Sequence, residues 1–252
     1  MEDTIRSVFN QGYPSLEYIV IDGGSSDESP EIIRRYSRQL AFWAVEKDRG
    51  QSDALNRGFT RATGDIMGWI NSDDLLAPGA LAALAAAYRP GLHWYYGHCG
   101  AIWADGSRSI PDCATPPHAW TYEEFLFRGA VIPQPAVFWN RELWEAAGGY
   151  VLDHPLVMDY ELWLRFSRLA PMTPINAWLG TYREHAAAKT GTTQGRRRYA
   201  RAKQAVRWRE FSRVTGEAIR KGHYQQAAGY QWKALGALWA SLRWRLSPQG
   251  KR

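Results

Sequence analysis

The stretch over residues 46–75, EKDRGQSDALNRGFTRATGDIMGWINSDDL, constrains what this chain can fold into more than any other. Leu55, Phe59 and Ala62 recur at helical spacing, Gly64 and Asp65 break that period, and residues 66–70, IMGWI, form a short apolar run of the kind that buried parallel strands use. Asn71, Ser72, Asp73 and Asp74 follow at once. Loop, helix, turn, buried strand and acidic tip in this order predict an α/β sheet. In such a sheet ligands sit at the carboxyl ends of the strands, where oxygen side chains one residue apart suit a divalent cation carrying a diphosphate. The competing reading of these four residues is a plain turn, which prefers the same residue types.

The same punctuation occurs upstream. Residues 16–21, LEYIVI, predict a strand that ends in Asp22, Gly23, Gly24, Ser25, Ser26 and Asp27. The glycines permit close backbone approach, and Ser26 or Asp27 is placed to cap a helix over residues 29–39. An Asx turn at Asp22 is the structural alternative. Residues 40–45 predict the next strand, which ends at Glu46, Lys47, Asp48 and Arg49. Two successive strands thus finish in Asp-rich loops on one edge, as a nucleotide crevice requires. Arg49 has two equal readings, a phosphate contact and a surface ion pair with Glu46 or Asp48.

Downstream, Pro78 opens an Ala-rich helix over residues 78–88, and Asp105-Gly106 marks a hairpin after an aromatic strand at 93–103. His98 and Cys99 in that strand are read as packing residues. A short helix over 122–127 precedes Gln134 and the apolar run 135–139. A helix from Met158 carries residues 162, 163, 166 and 169 as a buried stripe and places Asp159 at its N-terminus, where free N–H groups and the dipole favour a carboxylate. A further strand over 173–181 follows, and Tyr182, Arg183, Glu184 and His185 with Lys189 and Thr190 close the region.

These pieces, in register over roughly residues 4–190, resemble family 2 glycosyltransferases of the GT-A fold: Asp22-Gly23-Gly24-Ser25-Ser26-Asp27, then Glu46 to Gln51 with Asn56 and Gly58, then GDIMGWINSDD, then Met158-Asp159-Tyr160-Glu161-Leu162-Trp163. The resemblance implies a Rossmann-like α/β fold with a mixed, mostly parallel sheet flanked by helices, and inverting transfer from a nucleotide-diphosphate sugar, a UDP-sugar, to a hydroxyl of a glycan or lipid-linked acceptor in polysaccharide or glycolipid synthesis. It implies nucleotide binding by Asp22, Gly23, Ser25, Asp48, Arg49 and Asn56. A Mg²⁺ or Mn²⁺ ion is implied at Asp73, Asn71 and His185, although the family's first acid is here the amide Asn71, so binding leans on Asp73. Asp159 is implied as catalytic base, with Met158 in place of the family's usual glutamate. Asp74, Gln134, Glu161 and Trp163 are implied to face the donor sugar or the acceptor. In the family a strand and a loop precede the first helix, which here begins at about residue 3; a sheet without that strand is expected to expose a hydrophobic edge and to lower solubility.

Composition is that of a globular protein, with 45% hydrophobic and 22% charged residues in 252. Thirteen Trp and thirteen Tyr exceed what a core usually needs, and packing or a membrane interface explains them before sugar stacking does. Two cysteines without metal spacing suit a reducing compartment, and a cytoplasmic location is expected. Sixteen Lys and Arg against Glu210 and Glu217 give residues 186–252 a balance of +14, leaving −8 for residues 1–185 of the whole-chain +6. The expected division is a catalytic domain at 1–190 and a basic, Trp-rich helical hairpin at 191–252. Its apolar stripe of Trp232, Leu235, Leu238, Trp239 and Leu242 beside Lys233, Arg243 and Arg245 fits either the inner face of a membrane or docking onto the domain. Nucleic acid is not an expected partner. A non-catalytic descendant acting as a binding module and a nucleotidyltransferase stand as the other two readings.

Overall fold

The computed structural model describes residues 1–154, 156–185 and 192–246, with side chains to residue 236. Lys189 and Thr190 and the side chains of Leu238, Trp239, Leu242, Arg243 and Arg245 lie outside the described residues. Helix α1 (Glu2–Phe9) buries Ile5 and Val8 and fixes its start by a Thr4 hydroxyl that donates to the Ser72 carbonyl at 2.8 Å. Strand β1 (Ile19–Asp22), helix α2 (Ser29–Tyr36), strand β2 (Phe42–Val45) and helix α3 (Gln51–Phe59) follow as two strand-and-helix units. Strands β3 (Ile66–Met67) and β4 (Leu75–Leu76) flank the acidic tip. Helix α4 (Ala80–Ala87) then leads to β5 (Trp94–Ile102) and β6 (Arg108–Ser109), joined across Asp105-Gly106 as the hairpin signal predicts.

The predicted short helix is a π-helical turn, Glu124–Arg128, closed by Gly129 in the left-handed region at φ 67°. Beyond it lie β7 (Val137–Asn140), α5 (Arg141–Ala146), α6 (Met158–Leu169), β8 (Met172–Arg183) and the two helices α7 (Thr193–Arg220) and α8 (Tyr224–Leu246).

Strands β1 and β2 form a parallel pair of their own. The other six make one sheet in the order β3-β7-β5-β8-β4, with β6 on β5. The mixed α/β class is as expected, but the parallel share is smaller: within the larger sheet only β5 and β8 run parallel, and the remaining pairings are antiparallel. The short strands β3 and β4 each pair with a longer strand that returns from downstream, and such long-range partners leave no local signal. Strand β3 is also shorter than the apolar run, because Gly68 packs under Phe138; a Cβ there would lie 2.6 Å from the ring.

The main core is aromatic. Trp94, Trp139 and Trp163 are fully buried, Trp163 stacks on Trp69 at 5.5 Å and on Trp94 at 6.0 Å, and Phe125 and Phe166 complete the cluster. The packing reading therefore accounts for these tryptophans. Helix α7 joins the same core through Val206 and Val214. Its Arg207 donates to the carbonyls of Leu126 (2.7 Å) and Phe127, Lys203 donates to that of Gly129 (3.1 Å), and Tyr122 donates to Glu210 (2.8 Å).

Trp163→Ala removes the centre of this cluster and is expected to lower unfolding free energy by about 3–5 kcal/mol. Denaturant unfolding followed by tryptophan fluorescence measures it, and a loss below 1 kcal/mol would mean that the cluster repacks.

Candidate active site

Three strands finish at one edge. The Asp22 carbonyl accepts from the Glu46 amide at 3.0 Å, which brings the ends of β1 and β2 together. The Gln51 side chain at the start of α3 donates to Asn71 Oδ1 at 2.7 Å, which adds the end of β3. Between β1 and residues 66–71 lies a cavity of about 1020 Å³, lined at this edge by Asp22, Gly23, Ser25, Asp48, Gln51, Asn71, Asp73 and His185.

The Asp22 loop is self-contained. Its buried carboxylate accepts from the amides of Gly24 (3.0 Å) and Ser25 (2.7 Å) and from the Ser25 hydroxyl (2.7 Å), the Asx turn that sequence offered as an alternative. Gly24 has φ 88°, and a Cβ at Gly23 would sit 2.6 Å from Asp48 Oδ2, so both positions need glycine. Asp48 in turn accepts from the Gly50 amide at 2.8 Å. The two Asp-rich loops therefore pack directly on each other.

Asn71 is the hub of the acidic tip. Its amide donates to Asp74 Oδ2 (3.0 Å) and Gln134 Oε1 (3.3 Å), while Gln134 donates to the Trp69 carbonyl at 2.7 Å. Asp74 is buried and accepts from the Arg183 amide at 3.0 Å; burial first, and then the neighbouring Asp73, pushes its carboxyl up to about 6. Asp73 is half exposed, and its Oδ2 lies 2.8 Å from His185 Nε2. Of the three expected metal ligands, the structure brings Asp73 and His185 together. It commits the Asn71 oxygen to Gln51 instead. Among the described residues no group of three His, Cys, Asp or Glu side chains is assembled to hold an ion. A carboxylate and an imidazole at a cleft rim still fit the mode in which hard cations take few protein ligands and complete their shell with phosphate oxygens and water.

Asp159 occupies the first turn of α6 and accepts from the Tyr160 amide at 2.7 Å. The adjacent Met158 sulfur contacts the Ser52 hydroxyl at 3.3 Å, and Ser52 also donates to the Leu152 carbonyl at 3.1 Å, so the starts of α3 and α6 adjoin. Asp159 thus stands beside the helix whose Gln51 lines the cavity.

Six expected site residues have other employment. Asn56 exchanges two bonds with the Val151 backbone, at 2.7 and 2.8 Å, and anchors the loop before α6 rather than facing the cavity. Arg49 is 88% exposed and pairs with Asp53 at 2.8 Å, an ion pair whose partner differs from the two predicted. Glu161 is buried against Arg165 at 3.0 Å, which also donates to the carbonyls of Ala147 and Tyr150. Trp163 is core, and Gln134 and Asp74 belong to the Asn71 network rather than to an open sugar-facing wall. Bonds that sequence did not signal are those of Thr4, Ser52 and Arg183, whose partners lie from 68 to 109 positions away; no local pattern marks such pairings.

The sequence model of Glycosyl transferase family 2 matches residues 1–102. An uncharacterized glycosyltransferase of Mycobacterium tuberculosis is 31% identical over 168 residues, covering 66% of this chain and 63% of that protein; the chain thus spans slightly under two thirds of the length of that relative. Among solved structures, a mannosyltransferase of Pyrobaculum calidifontis in complex with GDP-Man and Mn²⁺ superposes with a TM-score of 0.57 at 18% identity, over 98% of this chain and 71% of that one. S. aureus TarS 1-349 in complex with UDP-GlcNAc gives 0.55 at 14% identity, over 72% and 54%. The motifs, the sheet and these matches agree, and the chain belongs to glycosyltransferase family 2 with the GT-A fold.

Proposed function

We propose that the chain moves a sugar from a nucleotide-diphosphate donor to a hydroxyl acceptor with inversion. The convergence of the Asp22 loop, the Asp48 loop and the Asp73–His185 pair at one end of the cavity, with the start of α6 beside α3, carries this reading. In it, the two glycine-bearing loops receive the nucleoside, and Asp73 with His185 faces the diphosphate. Those two residues would hold Mg²⁺ or Mn²⁺, which supplies neutralisation of charge on the leaving diphosphate. Asp159 takes the proton of the attacking hydroxyl while the acceptor oxygen bonds to the anomeric carbon and the carbon–oxygen bond to the diphosphate breaks. No protein nucleophile is needed. The neighbouring structures hold UDP-GlcNAc and GDP-Man, so uridine and guanosine donors are the two arms of a titration. Calorimetry with UDP and GDP, with and without Mn²⁺, and assay of sugar release test it; absence of both binding and turnover favours a non-catalytic binding module.

For the tail, docking of α7 favours the packing reading over its own length, whereas α8 presents Tyr224, Trp232 and Leu235 at 69%, 75% and 52% exposure. Among the described residues no helix is long and apolar enough to cross a membrane. The membrane reading, a lipid-linked acceptor met at an anionic surface, therefore rests on α8.

Asp159→Asn is expected to leave nucleotide binding intact and to lower turnover by roughly 10²–10⁴-fold; full turnover in steady-state assays would remove it as base. Asp73→Ala is expected to abolish the Mn²⁺-dependent part of nucleotide affinity in calorimetry. Asn71→Asp, although it introduces an acid, places a second carboxylate against Asp74 and loses two donated bonds, so it is expected to weaken stability rather than simply tighten the ion; unchanged metal affinity in both variants would locate the ion elsewhere. Co-sedimentation with anionic but not neutral vesicles, lost at high salt and lost in Trp232→Ala/Leu235→Ala, is expected if α8 meets lipid; no pelleting on anionic vesicles at low salt would leave α8 to structural packing, in which Tyr230 and Ala234 lie against the core.

A further inference from the structure

Two parallel strands end beside the acidic tip and carry aromatic residues that the core does not absorb. Ala101 of β5 stands in register with Tyr182 of β8 and Ile102 with Arg183, and the Glu184 amide donates to the Ile102 carbonyl at 2.8 Å, so the two strands finish together. Strand β4 starts at the same edge, Leu75 opposite Thr181, and the Asp73–His185 and Asp74–Arg183 contacts stand there. Trp103 follows β5 directly. Its carbonyl accepts from the Gly106 amide at 2.9 Å, its amide donates to the Ser107 carbonyl at 2.8 Å, and the Asp105 carboxylate accepts from the Ser107 amide at 2.9 Å, which pins the turn that carries the indole. The Trp103 ring meets that of Tyr182 edge-to-face, with centroids 5.8 Å apart and planes at 88°. That pairing still leaves Trp103 39% exposed. Because the ladder runs on to Glu184, alternation puts Tyr182 and Glu184 on one face. Burial first, then Cys99 and the Glu184 carboxylate, raises the Tyr182 phenol. Among the described residues the partly buried Glu184 carboxylate makes no hydrogen bond or ion pair.

A perpendicular pair of rings with an uncommitted carboxylate beside it suits one chemistry. A pyranose whose hydroxyls are all equatorial carries axial C–H bonds on both faces, so it offers a flat apolar face to an aromatic ring and a rim of hydroxyl donors to a carboxylate. We propose that Trp103, Tyr182 and Glu184 form an acceptor subsite for a neutral, β-linked, gluco-configured glycan, the indole stacking on a sugar ring and the carboxylate accepting from its hydroxyls. Neutrality follows from Glu184 and Asp105, which repel an anionic glycan or an anionic lipid surface. The subsite rests on the transferase reading for its place in the reaction. Asp73 and His185 line the cavity assigned to the nucleotide, whereas Trp103, Tyr182 and Glu184 do not, so a sugar held by these three lies beyond the diphosphate and away from the nucleoside. Tyr182 and His185 are separated by roughly 10 Å of chain at 3.3 Å per residue. A ring stacked there belongs to the body of an oligosaccharide whose end reaches the transfer point.

The probe is cellotetraose, titrated into the isotope-labelled chain and followed by nuclear magnetic resonance at the Trp103 indole N–H, which Trp103→Phe identifies by its loss. Affinities are read from the Gly106 and Ser107 amides. Expected is a shift of the Trp103 signal, with the dissociation constant raised roughly 3- to 10-fold in Trp103→Ala, nearly restored in Trp103→Phe, and raised about 10-fold in Glu184→Ala. A Trp103 signal unmoved by cellotetraose at its solubility limit, or equal affinity in Trp103→Ala, would overturn the proposal. Movement of that signal by phosphatidylglycerol vesicles and not by the glycan would overturn it as well, by giving the corner to lipid. UDP and GDP titrated into the same samples separate the two readings. Glycan binding without nucleotide binding supports the platform and counts against the transferase reading, whereas nucleotide binding without glycan binding sinks the subsite alone.

Discussion

One side-chain amide holds the edge of the candidate site together. Asn71 accepts from Gln51 at the start of α3 and donates to Asp74, itself bonded to the Arg183 amide at the end of β8, and to Gln134 before β7. Four segments distant in sequence thus meet at one residue that cannot carry charge. A carboxylate in its place would accept from Gln51 but could not donate, and Asp74 is already held near 6 by burial and by Asp73. The amide lets Asp73 be the exposed acid of the tip, paired with His185, while Asp74 serves structure. Departure from a two-acid motif is thereby consistent with an intact, rather than a collapsed, acidic tip.

The elements that sequence made legible are those whose signals are local. Periodicity located α3 and α6, Asp105-Gly106 located the hairpin, and the apolar runs before Asp22 and Asn71 located β1 and β3. Asp22, Gly23, Ser25, Asp48, Asp73 and His185, far apart in sequence, line one cavity. What was not legible depends on long-range pairing. Glu161 reads as a site acid near Asp159, yet two positions along the helix it turns inward, where the Arg165 guanidinium holds it at 3.0 Å and Arg209 stands at 4.0 Å. Asn56 sits in a motif but answers to Val151, 95 positions away. The antiparallel pairing of β3 and β4 with β7 and β8 likewise has no signature in their own two-residue spans.

Tryptophan content shows the same division between count and placement. An excess of aromatic residues admits packing, lipid and sugar explanations equally. Packing of Trp69, Trp94, Trp139 and Trp163 into one cluster buries the last three fully and Trp69 in part, and centroid separations of 5.5–6.0 Å are those of favourable ring pairs. Among the described residues, exposed aromatic surface is left chiefly to Trp43, Trp103, Trp208, Tyr150, Tyr224 and Trp232. Three of these six lie on α7 or α8, so the aromatic and the basic character of the tail coincide there and not in the catalytic half.

The basic charge of α7 also reaches the proposed base. Lys203 is held by its bond to the Gly129 carbonyl, and burial lowers its pKa while the Asp159 carboxylate opposes that shift. Asp159 likewise raises the Tyr199 phenol, which burial has already pushed well up. A carboxylate felt by two groups of α7 is close to that helix, and opposite charges favour each other's ionised forms. The helix that follows the catalytic region is therefore part of the setting of the proposed base: its docking through Val206, Val214 and Arg207 fixes an ammonium near Asp159. Sequence placed the boundary of the catalytic domain ahead of this helix, whereas the electrostatics of Asp159 extend across it.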